Sequence, residues 1–448
     1  MVKIRRLPLA AAALAALAMV WSAAPARALE IQRVISPGGV EAWLVEDHKV
    51  PVIAVEFSFT GGAAIDPAGK EGLANLTADL LDEGAGDLES QAYAKRLQDD
   101  AISVTFQTGS DEFRCGIKTL SEHQDAAWEL MALALTRPRF DGEAVERVRA
   151  AVISDIRQSE ADPTKVARNA FYARIFPGHP YGRDDSGSVD SVSRLTADDL
   201  RGYVAGSFRR DRLLVAVTGD ITPDKLAPAL DRLFGALPAA GPLTPVAETA
   251  PQHLGETLVV RRPMTQSILM LGEPGLKRAD PDWFPAYVMN YVLGGGGFSS
   301  RLTEEVREKR GLTYGVYSYL YPYDHAALIV AGGSTKNAKA GEALALIKAE
   351  WARMAEGGIT ETELANAKTY LTGSFPLQLS SSTAIARLVL QVRHDALGID
   401  YLNRRSGLIN AVTLDDVKRV ARRLLDPARF AVVVIGQPEG VETTPTAP

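Results

Sequence analysis

Two segments of this chain end in the same way, and few folds allow that. Residues 192–226, VSRLTADDLRGYVAGSFRRDRLLVAVTGDITPDKL, and residues 409–441, INAVTLDDVKRVARRLLDPARFAVVVIGQPEGV, share one plan. Each has a Thr-x-x-Asp (Thr196/Asp199 and Thr413/Asp416), then a helical stretch, an Arg-containing turn and a strand ending in glycine (213–219 and 430–436). Thr-x-x-Asp resembles a capping box with Asp in place of Glu. The two threonines stand 217 residues apart. Solenoid units are far shorter, so the repeat predicts a duplicated domain.

Within each half the order reads strand, strand, helix, strand, strand, helices, strand. GVEAWLVED and PVIAVEFSFTGGA form an opening pair, and AISVTFQTGSDEFRCGIKTL a second pair. Strands and helices mixed without regular βα alternation predict an α+β fold of two homologous α/β-sandwich domains, each an antiparallel or mixed sheet packed with helices. The expected domains are 29–235 and 253–440, joined by the proline-rich linker ALPAAGPLTPVAETAPQ (236–252) and followed by a tail, 441–448.

The N-terminus reads as a signal peptide over residues 1–28. Lys3, Arg5 and Arg6 precede an Ala/Leu-rich run at 7–21, and Ala26-Arg27-Ala28 offers a small-x-small cleavage site. The apolar run is short for a membrane span and has no second candidate, so the expectation is an exported, periplasmic protein with no integral membrane segment after cleavage. That segment holds four of the 49 basic residues and none of the 55 acidic ones, leaving 45 against 55. An acidic chain without a basic run is a poor partner for nucleic acid. One cysteine, Cys115, excludes a disulfide framework and a multi-cysteine zinc site, and no two of the six histidines stand three to five apart.

EGLANLTADLLDEGA, residues 71–85, reads as a short amphipathic helix. Leu73, Leu76 and Leu80 recur at helical spacing, and Gly84 is a C-terminal stop. The same periodicity clusters Asn75, Ala78 and Asp79 on the opposite face. From the helix alone, that face is an ordinary polar surface.

Three stretches in order, together with the duplication, resemble the pitrilysin/insulinase family of zinc peptidases, of the processing-peptidase type with two repeated domains. GGAAIDPAGKEGLANL is similar to the run into the family's inverted zinc motif. FPGHPYGRDDSGSVDSVSRLTADDLRGYV (176–204) is similar to the segment after its third ligand, and LGGGGFSSRLTEEVREKRGLTYGVYS (293–318) to its second-domain signature. The resemblance implies two α+β domains facing each other across a substrate chamber. It places H-x-x-E-H on Asn75-Leu76-Thr77-Ala78-Asp79 and the third ligand, a glutamate in the family, on Asp155. Asn75 then replaces the first histidine, Ala78 the glutamate base and Asp79 the second histidine. Catalytic zinc takes three protein ligands and an open position; Asn75 offers a weak carbonyl, and Ala78 cannot take a proton. Two carboxylates, Asp79 and Asp155, also fall short of the six or more oxygens that Ca²⁺ or Mg²⁺ takes. This chain is expected to bind no cofactor.

The second half keeps more. Ser299 or Ser300 can cap a helix through RLTEEVREKR, with Arg301/Glu305 and Glu305/Lys309 at i+4 and Gly311 ending it; the strand LTYGVYSYLYPY follows. Alternation puts Tyr314, Val316, Ser318 and Leu320 on one face and Tyr317, Tyr319, Tyr321 and Tyr323 on the other. The tyrosine face suits either packing against a helix or a wall for a peptide. The Gly294–Gly297 run lacks the Lys-Ser/Thr of a phosphate loop and suits close backbone passage; His179 reads as a turn histidine. Arg307 and Tyr314 match the family's arginine–tyrosine pair. There the pair reaches from the second domain to the substrate carbonyl near the zinc, a fixed cation and a phenol aimed at a developing oxyanion. By the resemblance, the chain is the non-zinc subunit of an exported heterodimeric peptidase, acting on a peptide substrate with a homologous partner that carries H-x-x-E-H and the zinc. The alternative is a non-peptidase structural or peptide-binding homologue.

Overall fold

The computed structural model describes residues 29–444; the signal-peptide reading of residues 1–28 lies outside the described residues. Six strands form the first sheet: β1 (Gln32–Ile35), β2 (Glu41–Glu46), β3 (Val52–Thr60), β6 (Ser103–Thr108), β7 (Glu112–Leu120) and β8 (Leu213–Gly219). Between β3 and β6 lies a small hairpin, β4 (Gly84–Ala85) with β5 (Leu88–Glu89). The second sheet holds β9 (Thr257–Arg261), β10 (Gln266–Pro274), β11 (Thr313–Pro322), β12 (Ala327–Lys336) and β13 (Ala431–Gly436).

The duplication is visible in the strand order. The first sheet runs β1-β2-β8-β3-β7-β6, and the second, read the same way, runs β9-β13-β10-β12-β11. In each the first of these shared pairs, β2/β8 and β9/β13, is parallel and the rest are antiparallel. The first half adds only β1 at its edge. Both Thr-x-x-Asp sequences form capping boxes: Thr196 Oγ1 accepts from Asp199 N–H (3.2 Å) and Thr413 Oγ1 from Asp416 N–H (3.1 Å), while each aspartate accepts from its threonine's N–H. Such caps hold helices that open on a free first turn.

Central strands are buried along nearly their whole length, as in Ile53–Phe59 and Ser267–Glu273. A continuous apolar run means both faces of the sheet are covered. One cover comes from the other half. The helix Pro163–Ile175, from the first half, packs on β10 and β13, and the helix Ser382–His394, from the second, packs on β3 and β8. Phe171, fully buried, lies so close to Gly272 that a Cβ there would stand 2.6 Å from the ring. The halves thus meet through exchanged helices as well as the linker. The linker itself is held down: Arg212 Nη2 donates to the Gly241 and Pro242 carbonyls, both at 2.6 Å. Among the described residues no helix is long and apolar enough to cross a membrane.

Candidate functional site

The helix that carries the degenerate motif is shorter than its sequence pattern, running Leu73–Ala78. The chain leaves it at Asp79, and Gly84 opens β4 instead of ending the helix. Asp66, buried, receives Gly72 N–H and Ala74 N–H at 3.0 Å each, so a side chain from the preceding turn satisfies the helix start. Burial pushes the Asp66 carboxyl up to about 7 against the pull of those N–H donors. Gly72 has φ +90°, and a Cβ there would meet the Ser186 carbonyl at 2.5 Å; only glycine permits this approach.

The three motif positions do not share one environment. Ala78 is 5% exposed and belongs to the apolar core with Leu73, Leu76 and Leu80, which corrects its assignment to the polar face. Asn75 is half-buried and turns its amide Nδ2 toward Asp79 Oδ2 at 3.4 Å. Asp79 and Asp155 are exposed residues brought near each other. Desolvation by the protein around it raises the Asp79 carboxyl first, followed by the charges of Asp82 and Asp155. An amide donor, a core methyl and mutually repelling carboxylates do not make a zinc ligand set. Among the described residues no three His, Cys, Asp or Glu side chains are grouped to hold a metal. The frame does not fit the family's metal.

The second-half segment is built differently from a regular helix. Tyr291–Gly295, which enters the glycine run, and Thr303–Glu308, which follows it, are π-helical. Such widened turns recur at functional sites because they displace one side chain from the helical row. Arg301 is drawn away from Glu305 to a bidentate pair with Glu363 (2.6 and 2.7 Å), while Glu305 keeps Lys309 at 2.8 Å. Ser300 Oγ caps Thr303 N–H at 3.4 Å, and Gly311, at φ +61°, turns the chain back into β11.

Arg307 leaves this π turn partly exposed. Its guanidinium lies 4.6 Å over the Phe298 ring, and its one ion pair among the described residues is with the adjacent Glu308 at 3.5 Å. Tyr314 sits at a β-bulge: the β11/β12 register shifts between Thr313 and Val316, and Thr313 Oγ1 bonds Gly315 N–H at 3.1 Å. A bulge re-aims the side chain it carries. Tyr314 is 79% exposed and its hydroxyl has no hydrogen bond among the described residues. Phe298, 73% exposed, is the neighbour that sequence reasoning missed; its signal was an aromatic set directly after the glycine run.

The tyrosine face divides. Tyr323 packs against the exchanged helix, stacking on Tyr181 at 4.5 Å beside Tyr172, whereas Tyr319 and Tyr321 remain exposed. His179 is structural: Nδ1 accepts Tyr181 N–H (3.2 Å), which leaves Nε2–H to donate to the Ala247 carbonyl at 2.9 Å.

Duplicated α/β halves, a zinc helix without ligands and an outward arginine–tyrosine pair define a peptidase-like frame without its metal chemistry. Comparison with known proteins agrees. Residues 42–186 match the insulinase family (peptidase family M16), and residues 194–371 match the peptidase M16 inactive domain. A Streptomyces coelicolor protein named uncharacterized zinc protease SCO5738 is 33% identical over 311 residues, covering 67% of each chain. The Helicobacter pylori protein named non-peptidase homolog YmxG is 28% identical over 396 residues, 87% of this chain and 90% of that one. A solved peptidase M16 inactive domain from Pseudomonas fluorescens superposes with a TM-score of 0.85 at 26% identity, covering 93% of this chain and all of that one. The chain belongs to the insulinase (M16) peptidase family. Within it, the chain lacks the H-x-x-E-H zinc motif.

Proposed function

We propose that this chain is the non-zinc subunit of an exported, periplasmic, heterodimeric peptidase. Its partner is a homologous chain with H-x-x-E-H, which supplies zinc, the activated water and the glutamate base. Arg307 and Tyr314 contribute the substrate-facing groups. The observation that carries this reading is how little those two side chains do at home: Tyr314 is 79% exposed, and among the described residues Arg307 holds only a neighbouring glutamate and one aromatic face. A cation and a phenol held on a rigid turn suit a developing oxyanion, since neither must reorganise when charge appears. An extended peptide has a place to dock. Strand β6 is the edge of the first sheet and packs beside the Leu73–Ala78 helix, with side chains alternately exposed along it; strand addition at such an edge supplies backbone hydrogen bonds.

A second reading, a structural or peptide-binding homologue with no catalytic role, is favoured by the name of the Helicobacter pylori relative, a non-peptidase homolog. The experiment measures peptidase activity and zinc content of the mature chain alone and mixed with a co-encoded H-x-x-E-H homologue. Silence alone and zinc-dependent cleavage on mixing is the expected result. Silence in both arms transfers the weight to the second reading, and cleavage by this chain alone removes both.

A further inference from the structure

The two sheets close their parallel ends differently. In the first, β1 lies outside β2 and pairs with it antiparallel, Gln32 opposite Leu44 and Ile35 opposite Glu41. In the second, β9 takes the place of β2 beside β13, and no further strand lies outside it among the described residues. An edge strand presents a row of N–H and C=O groups, a template for another strand. The Glu256 carbonyl accepts from Val432 N–H, and Arg262 N–H donates to Gly436, both toward β13. Alternation therefore turns the N–H groups of Thr257, Val259 and Arg261 outward.

The segment Val441–Thr444 covers that edge. Val441, 4% exposed, sits in the apolar core of the second half, and the residues after it are exposed. Thr444 N–H donates to the Thr257 carbonyl at 2.9 Å, Thr257 N–H to Thr444 Oγ1 at 2.9 Å, and Val259 N–H to Thr443 Oγ1 at 3.0 Å. Glu442 pairs with Arg261 Nη2 at 3.3 Å. Residues 444, 443 and 442 thus meet 257, 259 and 261 in turn, antiparallel, as β1 meets β2. The segment fills the place of β1, with one difference. A strand offers carbonyls to outward N–H groups, whereas here two threonine hydroxyls accept. These bonds are exposed, so water competes for them.

The strand beneath suits a better partner. Thr-Leu-Val-Val-Arg is rich in β-branched residues. Paired antiparallel with a second copy about a two-fold axis at Val259, it sets Thr257 opposite Arg261 of the other chain. Outward N–H groups then meet outward carbonyls, and no two arginines stand opposite each other.

We propose that Glu442–Thr444 is a strap that holds the β9 edge closed, and that lifting it lets β9 pair with β9 of a second copy of this chain. Thr443 and Thr444 make the closure, and Val441 is the anchor from which the strap peels. Self-association is read on this chain alone and owes nothing to a peptidase partner.

Sedimentation velocity over a concentration series tests it with the intact mature chain, a chain ending at Val441, and the full-length double variant Thr443→Val/Thr444→Val. The double variant keeps the shape, loses both hydroxyls, and guards against a folding defect in the shortened chain. Both altered chains are expected to dimerise at least about tenfold more tightly than the intact one, because two hydrogen bonds no longer have to open first. Hydrogen exchange locates the contact. Residues 257–261 of the altered chains should exchange faster than in the intact chain when dilute, and slow again as concentration rises. If both altered chains stay monomeric, or associate no more tightly than the intact one, the proposal is overturned and the edge is left to a strand of another protein or to none. Association without that concentration-dependent protection of 257–261 places the contact elsewhere and overturns it as well.

Discussion

In the first half, the Leu73–Ala78 helix is closed in on itself. Ala78 is core, Asn75 and Asp79 face each other, and the helix start is satisfied by buried Asp66. In the second half, the turn from Phe298 to Tyr314 does the opposite. Two π-helical segments, a glycine run and a β-bulge present an arginine and a tyrosine that the fold itself scarcely uses. Each is a departure from the most economical backbone, and such departures persist where something outside the core needs them. One strand order therefore carries two outcomes: a degenerate motif filled in as ordinary packing, and a turn that holds an arginine and a tyrosine outward at some cost in regularity.

The largest expected effect tests whether the halves share stability while differing in chemistry. Phe171→Ala removes a fully buried ring that the first half lends to the second sheet. It should cost about 3–5 kcal/mol. Urea unfolding followed by far-UV circular dichroism should show one transition moving as a whole; a split transition would mean the halves are independent.

Next comes the contrast itself. Arg307→Ala and Tyr314→Phe should each lower the composite peptidase rate by roughly ten- to a thousandfold. Thermal stability should stay within about 0.5 kcal/mol, because exposed side chains contribute little. Unchanged turnover in both variants would leave the second-half turn as functionless as the first-half helix.

A third test reads the seam through pH. His394 is held up to about 9 by its hydrogen bond to Asp324 and, despite burial, by the charge of Glu112. The folded state keeps a proton that the unfolded chain releases above its ordinary value of about 6.5. The stabilisation is therefore complete below that value and is lost as pH rises through about 9. Urea midpoints should record a loss on the order of 1–3 kcal/mol across that window. His394→Gln should flatten the curve there, and a wild-type slope that persists in the variant would place the titration elsewhere.

The smallest effect belongs to the void site. Asn75→Ala should change stability by less than about 0.5 kcal/mol and leave composite activity intact. A large loss of activity would show that the first-half helix still takes part.

Much of this was legible in the chain because it is local. Capping boxes, alternating strands and a long repeat are carried by neighbours in sequence, and Thr196/Asp199 and Thr413/Asp416 formed as their spacing implied. The motif positions rest on the resemblance, which places them by order along the chain. Ala78 was misplaced because a six-residue helix packed on several sides has no clear polar face. Arg301 was misread for a related reason. Its i+4 partner assumed a regular helix, and the π turn sent it to Glu363, far along the chain.

By itself, then, the sequence determined the duplicated α/β plan, the missing zinc ligands and the identity of the residues left in their place. The tertiary structure decided which side chains remain free. It exchanged Pro163–Ile175 for Ser382–His394 between the sheets and lifted Tyr314 on a bulge. The physical reason is that exposure and pairing depend on contacts between residues hundreds of positions apart, and no local periodicity encodes those.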